Sequence, residues 1–227
     1  MLFVLFFMTD IFPCLLCQSQ ASFFASSPSR DFFSCPACAL IFVPPFQHLN
    51  QAQEKARYLE HQNLVSDPAY QAFLTPFMKA LKERVSPDAL GLDFGCGPTK
   101  ALQTWLGQEG YQLEAFDPYF FADPKLLKKQ YDFVCLTEVL EHMEKPLEAL
   151  KEIHQLLKAG GLLAVQTHWL PKDEWAGEQK FPQWHYARDP THVAFYSPTS
   201  LKWIADYFAW GLELLEGDLA FFSKQLP

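Results

Sequence analysis

The sequence predicts an α/β protein whose doubly wound, mostly parallel sheet follows a small cysteine-rich module and a helical cap. Three observations predict this organisation. Two Cys-x-x-Cys pairs lie within residues 1–48, and residues 49–86 are rich in helix-forming residues. From residue 87 to 227, short apolar runs alternate with amphipathic segments, a pattern typical of a parallel sheet covered by helices. We therefore place the domain boundaries after residues 48 and 86.

The composition excludes several classes of protein. Of the 227 residues, 49% are hydrophobic and 19% are charged, so the chain buries a core and is not intrinsically disordered. The net charge of -8 argues against a nucleic-acid backbone as the main partner, because phosphate binding needs clustered Lys and Arg. The longest uninterrupted apolar run, Met1–Met8, falls short of the roughly 20 residues that span a bilayer.

The four cysteines of the N-terminal module predict a structural zinc ion. Two Cys-x-x-Cys turns separated by a hairpin supply four thiolates, which suits tetrahedral zinc. A module of about 35 residues cannot stabilise itself by apolar burial alone, so the metal would supply folding energy. The alternatives are two disulfides in an exported protein and a redox Cys-x-x-Cys site. The predicted zinc ligands are Cys14, Cys17, Cys35 and Cys38.

The first residues bear on the choice between zinc and disulfides. Met1–Met8 looks faintly like the apolar part of a signal peptide, but no Lys or Arg precedes it and Asp10 follows where a cleavage site should lie. We interpret this run as a short packing strand or an extension without a role. We therefore expect a cytoplasmic protein.

Two helices are predicted between the cysteine module and the main domain. Residues 51–63 have no helix breaker, and Asp67-Pro68 forms an N-cap and first turn for a second helix. Tyr58 and His61 share one face of the first helix, where they would contact a ligand in a cleft below; ordinary packing is the alternative. The apolar residues at helical spacing in the second helix are Tyr70, Phe73, Leu74, Phe77, Met78 and Leu81.

The main domain is predicted from alternating strands and helices. The predicted strands are 89–94, 111–116, 131–137 and 162–167. The predicted helices are 100–108 and 146–158, the second ended by Gly160-Gly161. After Ser197-Pro198 we expect a helix to about Ala209, a strand over 211–215 and a reversed edge strand over 219–222.

A glycine-rich turn follows the first strand of this domain. Gly95 and Gly97 allow the backbone to approach a ligand where a Cβ would collide. Asp93, just before the turn, is placed to hold a ligand ammonium group. Asp117 lies 20 residues beyond Gly97, where a carboxylate accepts the two ribose hydroxyls of a nucleotide-like ligand. An acid on the turn suits a ligand that carries an amino group and a sulfonium, and would repel a pyrophosphate.

In four linked segments the chain strongly resembles class I S-adenosylmethionine-dependent methyltransferases. The resemblance implies a Rossmann-like fold, S-adenosylmethionine as cofactor, and cofactor contacts from Asp93, Gly95, Gly97, Asp117 and Thr137, together with Cys96 in the same turn. The segments are Leu92–Pro98 (LDFGCGP), Phe116–Pro118 (FDP), Tyr131–His142 (YDFVCLTEVLEH) and Leu156–Gly161 (LLKAGG).

The chain departs from the family pattern at three places. Thr99 stands where a third glycine often falls, and Ala159 replaces the usual proline before Gly-Gly. Only 13 residues separate Asp117 from Tyr131, so the third strand of the family is predicted to be short or missing.

A closer resemblance is to a group of bacterial methyltransferases with an N-terminal zinc ribbon. It is carried by the paired Cys-x-x-Cys turns, residues 54–63, the segment Trp184–Val193 and Ser197-Pro198. Ubiquinone-biosynthesis O-methyltransferases are similar through the central domain only.

In those O-methyltransferases a matching Glu-x-x-Glu-His motif is thought to hold a divalent ion, which implies a second metal site for an ion such as Mg²⁺. Here the motif is Glu138, Glu141 and His142, whose spacing places all three on one helical face. The alternative is that the two glutamates cap a helix and His142 packs against the cofactor.

Residues after the strand ending at Thr167 are candidates for binding the methyl acceptor. Trp and Tyr offer flat walls for a ring, His accepts a proton, and Arg188 would hold an anionic group. The set is His168, Trp169, Trp184, His185, Tyr186, Arg188 and His192.

For catalysis the sequence favours His142, His185 and His192, and it assigns Cys96 and Cys135 to packing. The predicted function is methylation of a small molecule. Oxygen is the favoured methylated atom, and carbon and nitrogen are less favoured. The alternatives are an RNA methyltransferase with a zinc module and a non-catalytic scaffold that binds the cofactor.

Overall fold

The structure of the protein, a computed structural model, describes residues 11–60, 63–172 and 176–226. Met1–Met8 and His61, for which the sequence makes predictions, lie outside the described residues. No helix in the described part of the chain is long and apolar enough to cross a membrane.

Within the described residues before the main domain, 11–60 and 63–86, the chain forms four short strands and two helices. The strands are β1 (Ile11–Pro13), β2 (Gln20–Ser26), β3 (Asp31–Ser34) and β4 (Ile41–Phe42). The helices are α1 (Gln51–Glu60) and α2 (Pro68–Lys82).

The remaining chain alternates strands and helices. The first elements are β5 (Leu90–Phe94), α3 (Ala101–Gln108), β6 (Gln112–Phe116), β7 (Tyr131–Thr137), α4 (Pro146–Leu156) and β8 (Leu157–Gln166). The last are α5 (His185–Arg188), β9 (Ala194–Phe195), α6 (Pro198–Phe208), β10 (Trp210–Leu215) and β11 (Leu219–Lys224).

The main sheet has six strands in the order β10-β11-β8-β7-β5-β6. Strands β6, β5, β7 and β8 are parallel, and β11 runs antiparallel to both of its neighbours. This confirms the predicted fold class. The third strand of the family is missing, as the short spacing predicts: between Asp117 and Tyr131 the chain forms one 3₁₀ turn and a single bridge from Asp117 to Phe121.

Two predicted elements are wrong in detail. The strand over 219–222 is reversed, but it lies inside the sheet between β8 and β10, and β10 is the edge. Gly160-Gly161 does not cap a helix, since α4 ends at Leu156 and both glycines lie in β8. There the pairing with β7 jumps from Tyr131↔Leu157 to Phe133↔Leu162, which is a bulge.

A backbone contact explains why this bulge needs glycine. A Cβ at Gly161 would lie 2.9 Å from the carbonyl oxygen of Lys158 and 3.2 Å from that of Asp132. The glycine pair therefore serves close strand packing rather than helix termination.

The second sheet is antiparallel, in the order β1-β2-β3-β4-β9. Its last strand comes from the far end of the chain, with Ile41 opposite Phe195 and Phe42 opposite Ala194. Arg30 strengthens this junction: its buried guanidinium donates to the carbonyl of His192 at 2.8 Å and to that of Ala187. Burial lowers the pKa of Arg30 to about 10, so the side chain stays charged near neutral pH.

The two predicted cap helices differ in how they are held. Helix α2 begins at the predicted N-cap, where the Asp67 carboxylate accepts from the Ala69 N–H at 2.8 Å. Its apolar face is buried against α3 and β11, whereas α1 has no buried residue. Helix α1 is held by polar contacts, including Arg57 Nη2 to Asp189 Oδ2 at 2.8 Å.

Candidate active site at the carboxyl ends of the parallel strands

A cavity of about 740 Å³ opens at the carboxyl ends of β5, β6 and β7, where ligands of doubly wound sheets bind. Helix α1 and residues from the segment after β8 form its other walls. All of the residues predicted to hold the cofactor line this one cavity: Asp93, Gly95, Cys96, Gly97, Asp117 and Thr137.

The glycine turn has the conformation that the sequence predicts. Gly95 and Gly97 have φ values of +82° and +64°, in the region that favours glycine. A Cβ at Gly95 would lie 2.6 Å from Cγ2 of Val139, so packing alone requires glycine there. A Cβ at Gly97 would meet nothing within 4 Å and would occupy free space in the cavity.

Asp117 ties this turn to the neighbouring strand. Its Oδ2 accepts from the Gly97 N–H at 3.0 Å, and its Oδ1 accepts from the N–H groups of Tyr119 and Phe120 at 2.8 and 3.1 Å. The carboxylate is therefore fixed at the cavity wall. A carboxylate has about four lone-pair sites, so it can still accept ligand hydroxyls.

Asp93 is buried without a full set of partners. Its side chain is 1% exposed, and Oδ1 accepts no hydrogen bond from any described residue. Burial and the nearby Asp117 raise the pKa of Asp93 to about 7. A buried carboxyl oxygen with no donor is costly, so this position favours a ligand that brings one.

The three residues of the Glu-x-x-Glu-His motif do not share a helical face. Glu138 follows directly after β7 with a φ of +53°, and residues 140–142 form a single 3₁₀ turn. Burial and the nearby Glu141 raise the pKa of Glu138 well above its usual range, and Glu138 lines the cavity. Glu141 is fully buried and is not among the described lining residues, and its Oε2 accepts from Thr167 Oγ1 at 2.7 Å.

Glu141 and His142 are joined instead by His192, and the three ligand atoms lie within 4.8 Å of one another. His142 Nδ1 lies 3.1 Å from the Thr191 carbonyl oxygen, and His192 Nδ1 lies 2.8 Å from that of Tyr186. A carbonyl only accepts, so both Nδ1 atoms carry the proton and both Nε2 atoms offer a lone pair. Glu141 Oε1 has no hydrogen-bond donor among the described residues.

The acceptor-side residues divide into two groups. His168, His185, Tyr186 and His192 line the cavity with the candidate His142, but Trp169, Trp184 and Arg188 are not among its described lining residues. Trp184 is buried against other aromatic rings, so the predicted indole wall is wrong for this residue. Arg188 is exposed and is not among the described residues that line the cavity, so its role as an anion contact stays a prediction.

Sequence reasoning missed a residue that contacts the cavity wall through His168. Asp218 Oδ2 lies 2.7 Å from His168 Nδ1, although 50 positions separate the two residues. Asp218 lies in the turn between β10 and β11, and nothing local in the sequence marks that turn as part of a site. Of the two cysteines assigned to packing, Cys135 is fully buried, whereas Cys96 lines the cavity.

The N-terminal cysteines form one compact cluster. Cys14 Sγ lies 3.5 Å from Cys38 Sγ, Cys17 Sγ lies 3.4 Å from Cys35 Sγ, and all four atoms lie within 4.8 Å of one another. Zn–S bonds of about 2.3 Å place tetrahedral sulfur atoms about 3.8 Å apart, so the cluster fits zinc. All four are free thiols, at separations well above the roughly 2.05 Å of a disulfide.

Comparison with known proteins places this fold in context. A family model described as a methyltransferase domain matches residues 70–216. The 1,6-didemethyltoxoflavin N1-methyltransferase of Burkholderia thailandensis, solved with S-adenosylhomocysteine, has a TM-score of 0.55 at 12% identity, covering 89% of this chain and 99% of its own.

The human N-acetylserotonin methyltransferase, solved with S-adenosylmethionine, has a TM-score of 0.55 at 16% identity, covering 76% of this chain and 56% of its own. At these identities the likeness shows the fold alone. No curated protein sequence matches the chain.

Proposed function

The chain belongs to the methyltransferase-domain family and has the class I, S-adenosylmethionine-dependent fold, and on this premise we propose that it methylates an oxygen atom of a small molecule. The observation that carries the proposal is the cavity itself. It brings together the glycine turn, Asp117 and a buried Asp93 that has an unsatisfied oxygen.

Each of these residues has a role towards the methyl donor. Asp117 accepts the ribose hydroxyls, Asp93 accepts from the ammonium group, and the absence of a Cβ at Gly97 leaves room for the donor. The sulfonium is already activated, so the protein mainly aligns the acceptor with the methyl group and excludes water. A new C–O bond forms as the C–S bond breaks, and sulfur keeps the electron pair.

We predict that affinity for S-adenosylmethionine rises as the pH is raised from about 6 to about 8. Because the pKa of Asp93 is raised to about 7, binding at lower pH must first remove a proton. Affinity should change up to about tenfold per pH unit below that pKa. Isothermal titration calorimetry across this range measures the effect.

Asp93→Asn is the matched variant, and it should bind more weakly with a nearly flat pH profile. Its unliganded form should gain stability: the folded pKa of about 7 lies above the usual 3.8, so Asp93 destabilises the fold increasingly as pH rises between those values. If the wild-type protein shows no affinity for S-adenosylmethionine or S-adenosylhomocysteine at any pH, the proposed function is wrong.

The two alternatives make different predictions. A scaffold binds the donor but yields no methylated product when labelled donor and a metabolite extract are analysed by mass spectrometry. An RNA methyltransferase retains RNA in a salt-dependent way. The net charge of -8 and a cavity without Lys or Arg among its described lining residues favour the small-molecule acceptor.

We also propose that a divalent ion in this cavity, if the acceptor requires one, binds to Glu141, His142 and His192 rather than to Glu138. The unsatisfied Oε1 of Glu141 and the two Nε2 lone pairs fit such an ion, whose chemistry would be to hold and polarise the acceptor oxygen.

We expect His192→Gln to lose the second metal while the four-cysteine site keeps its zinc, because backbone carbonyls fix both histidine rings in the binding orientation. Metal analysis of the purified protein, loaded with Mn²⁺ and then dialysed, measures this. His185→Gln, which changes another cavity histidine, is the control. Equal metal content in all three proteins contradicts this ligand set.

A further inference from the structure

We propose that His168, oriented by Asp218, is the general base of this enzyme, and that its acceptor is an uncharged compound presenting a hydroxyl group. The inference rests on the proposed O-methyl transfer and deepens it, since it names the residue that takes the proton and the charge class of the acceptor.

The protonation of the His168 ring follows from its partner. Asp218 Oδ2 lies 2.7 Å from Nδ1, and a carboxylate only accepts, so the ring proton is on Nδ1. In the neutral ring Nε2 then carries the lone pair, and Nε2 makes no hydrogen bond within the described ranges of the chain. His168 lines the cavity and its side chain is 35% exposed, so a ligand can reach this nitrogen.

The position of the ring is fixed from two sides. On one side, Asp218 lies in a tight turn with a φ of +63°, and its carbonyl accepts from the Thr167 N–H at 3.3 Å. On the other, the Tyr186 ring packs edge-on at 4.9 Å between centroids. A base held in this way keeps its lone pair aimed while the acceptor binds and leaves.

The other cavity histidines are less suited to this role. His142 and His192 direct Nδ1 at backbone carbonyls and belong to the cluster with Glu141. His185 is exposed and has no carboxylate partner among the described residues, and partial burial and the nearby His168 lower its pKa. Of the cavity histidines that the structure describes, His168 is the one whose Nδ1 is hydrogen-bonded to a carboxylate.

The charge of the cavity restricts the acceptor. Six acidic side chains line it, and no Lys or Arg does so within the described residues. Residues 1–10, 61–62, 173–175 and 227, which the structure does not describe, contain neither Lys nor Arg. Asp189 is paired with Arg57, and the raised pKa values of Asp93 and Glu138 favour their uncharged forms. An anionic acceptor would still find no basic side chain among the described lining residues. The acidic residues are Glu54, Asp93, Asp117, Glu138, Glu144 and Asp189.

The proton balance of the step is simple. As the acceptor oxygen bonds to the methyl carbon and the C–S bond breaks, the hydroxyl proton passes to His168 Nε2. The imidazolium that results is stabilised by Asp218 and later loses its proton to solvent. The ionisable groups that face His168 are Asp218, His185 and Tyr186, and Glu138 lies close enough to Asp218 to interact with it electrostatically.

The acceptor class is tested with a matched pair of probes, 3,4-dihydroxybenzamide and 3,4-dihydroxybenzoate, which differ in charge and little in shape. We expect kcat/KM for the neutral probe to exceed that for the anionic probe at least tenfold. Equal or faster reaction of the benzoate, or no methyl transfer to either probe by protein that binds S-adenosylhomocysteine, overturns the acceptor class. Failure of the wild-type protein to bind S-adenosylhomocysteine refutes the proposed function instead.

The base is tested with His168→Gln and Asp218→Asn. The control is His154→Gln, which changes a histidine of α4 that is not among the described lining residues of the cavity. Asparagine tolerates the positive φ of Asp218, so the turn should persist. We expect kcat on the neutral probe to fall about 10²- to 10³-fold in His168→Gln, with affinity for S-adenosylhomocysteine within twofold of wild type. In the wild-type protein a general base should make kcat rise with pH. In His168→Gln this rise should disappear, and kcat should instead follow the ionisation of the hydroxyl group of the probe. A fall in kcat with the wild-type pH profile, or an equal fall in His154→Gln, overturns the assignment.

A measurement without turnover gives a second test. In ¹⁵N-histidine NMR spectra of the full chain, the signal lost in His168→Gln should be that of a neutral ring with its proton on Nδ1. In Asp218→Asn this proton preference should weaken. A His168 ring with its proton on Nε2 in the wild-type protein contradicts the proposal.

Discussion

Replacing Gly97 with valine is expected to remove measurable binding of S-adenosylmethionine. A Cβ at this position meets no protein atom within 4 Å, so the branched side chain would occupy space that the cavity leaves open for a ligand. The positive φ of +64° adds backbone strain. We expect affinity for S-adenosylhomocysteine to fall by about 100-fold or more, equivalent to about 2.7 kcal/mol, as measured by calorimetry.

Gly110→Val is the control that separates steric exclusion from strain. Gly110 has a φ of +88° and also has nothing within 4 Å of an added Cβ, but it follows α3 and does not line the cavity. Both variants should lose similar stability, about 1–2 kcal/mol from the left-handed conformation, and only Gly97→Val should lose the ligand. Equal affinities in the two variants contradict the placement of the donor at this turn.

Replacing Cys38 with serine is expected to empty the N-terminal metal site and to destabilise the whole protein. Structural zinc supplies folding energy directly, and an ion held by the four cysteines would support the antiparallel sheet. This sheet includes β9 and lies beside the buried contacts of Arg30 with the carbonyls of His192 and Ala187. We expect the zinc content to fall from one equivalent to near zero. Loss of at least about 3 kcal/mol should lower the Tm by about 6–12 °C.

The control for this experiment is Cys96→Ser, which changes a cysteine of the cavity and should keep one equivalent of zinc. Inductively coupled plasma mass spectrometry measures the metal, and calorimetry measures the Tm. Wild-type protein purified from a reducing cytoplasm without bound metal, or a Cys38→Ser variant that keeps its zinc, contradicts the zinc assignment.

Patterns that are local in sequence were sufficient to predict most of the fold. Strands β5, β6 and β7 begin within one residue of their predicted positions and end at them, because short apolar runs bounded by turns mark buried strands. Asp67 and Ser197 cap the helices that follow them, as their positions before proline predict. The resemblance to the family, together with the 13 residues between Asp117 and Tyr131, predicted that the third strand would be short or missing.

What the sequence could not predict depends on contacts between distant residues. Helical spacing predicted that Glu138 lies beside Glu141 and His142, but the left-handed conformation of Glu138 prevents a helix at that point. The residue that lies beside Glu141 and His142 is instead His192, which is 50 positions beyond His142 in the sequence. Asp218 reaches His168 only because β11 inserts between β8 and β10. No periodicity in a single sequence reports such pairings.

The junction between β4 and β9 bears on how the chain assembles during synthesis. Ile41 and Phe42 leave the ribosome long before Ala194 and Phe195. The edge of β4 therefore stays unpaired until β9 has been synthesised. A thiol cluster that captures metal early would protect this nascent module from aggregation until its last strand is made. For the same reason, a version cut after residue 48 would keep its four metal ligands but expose β4, so the module is not a part that can be transplanted intact to another enzyme.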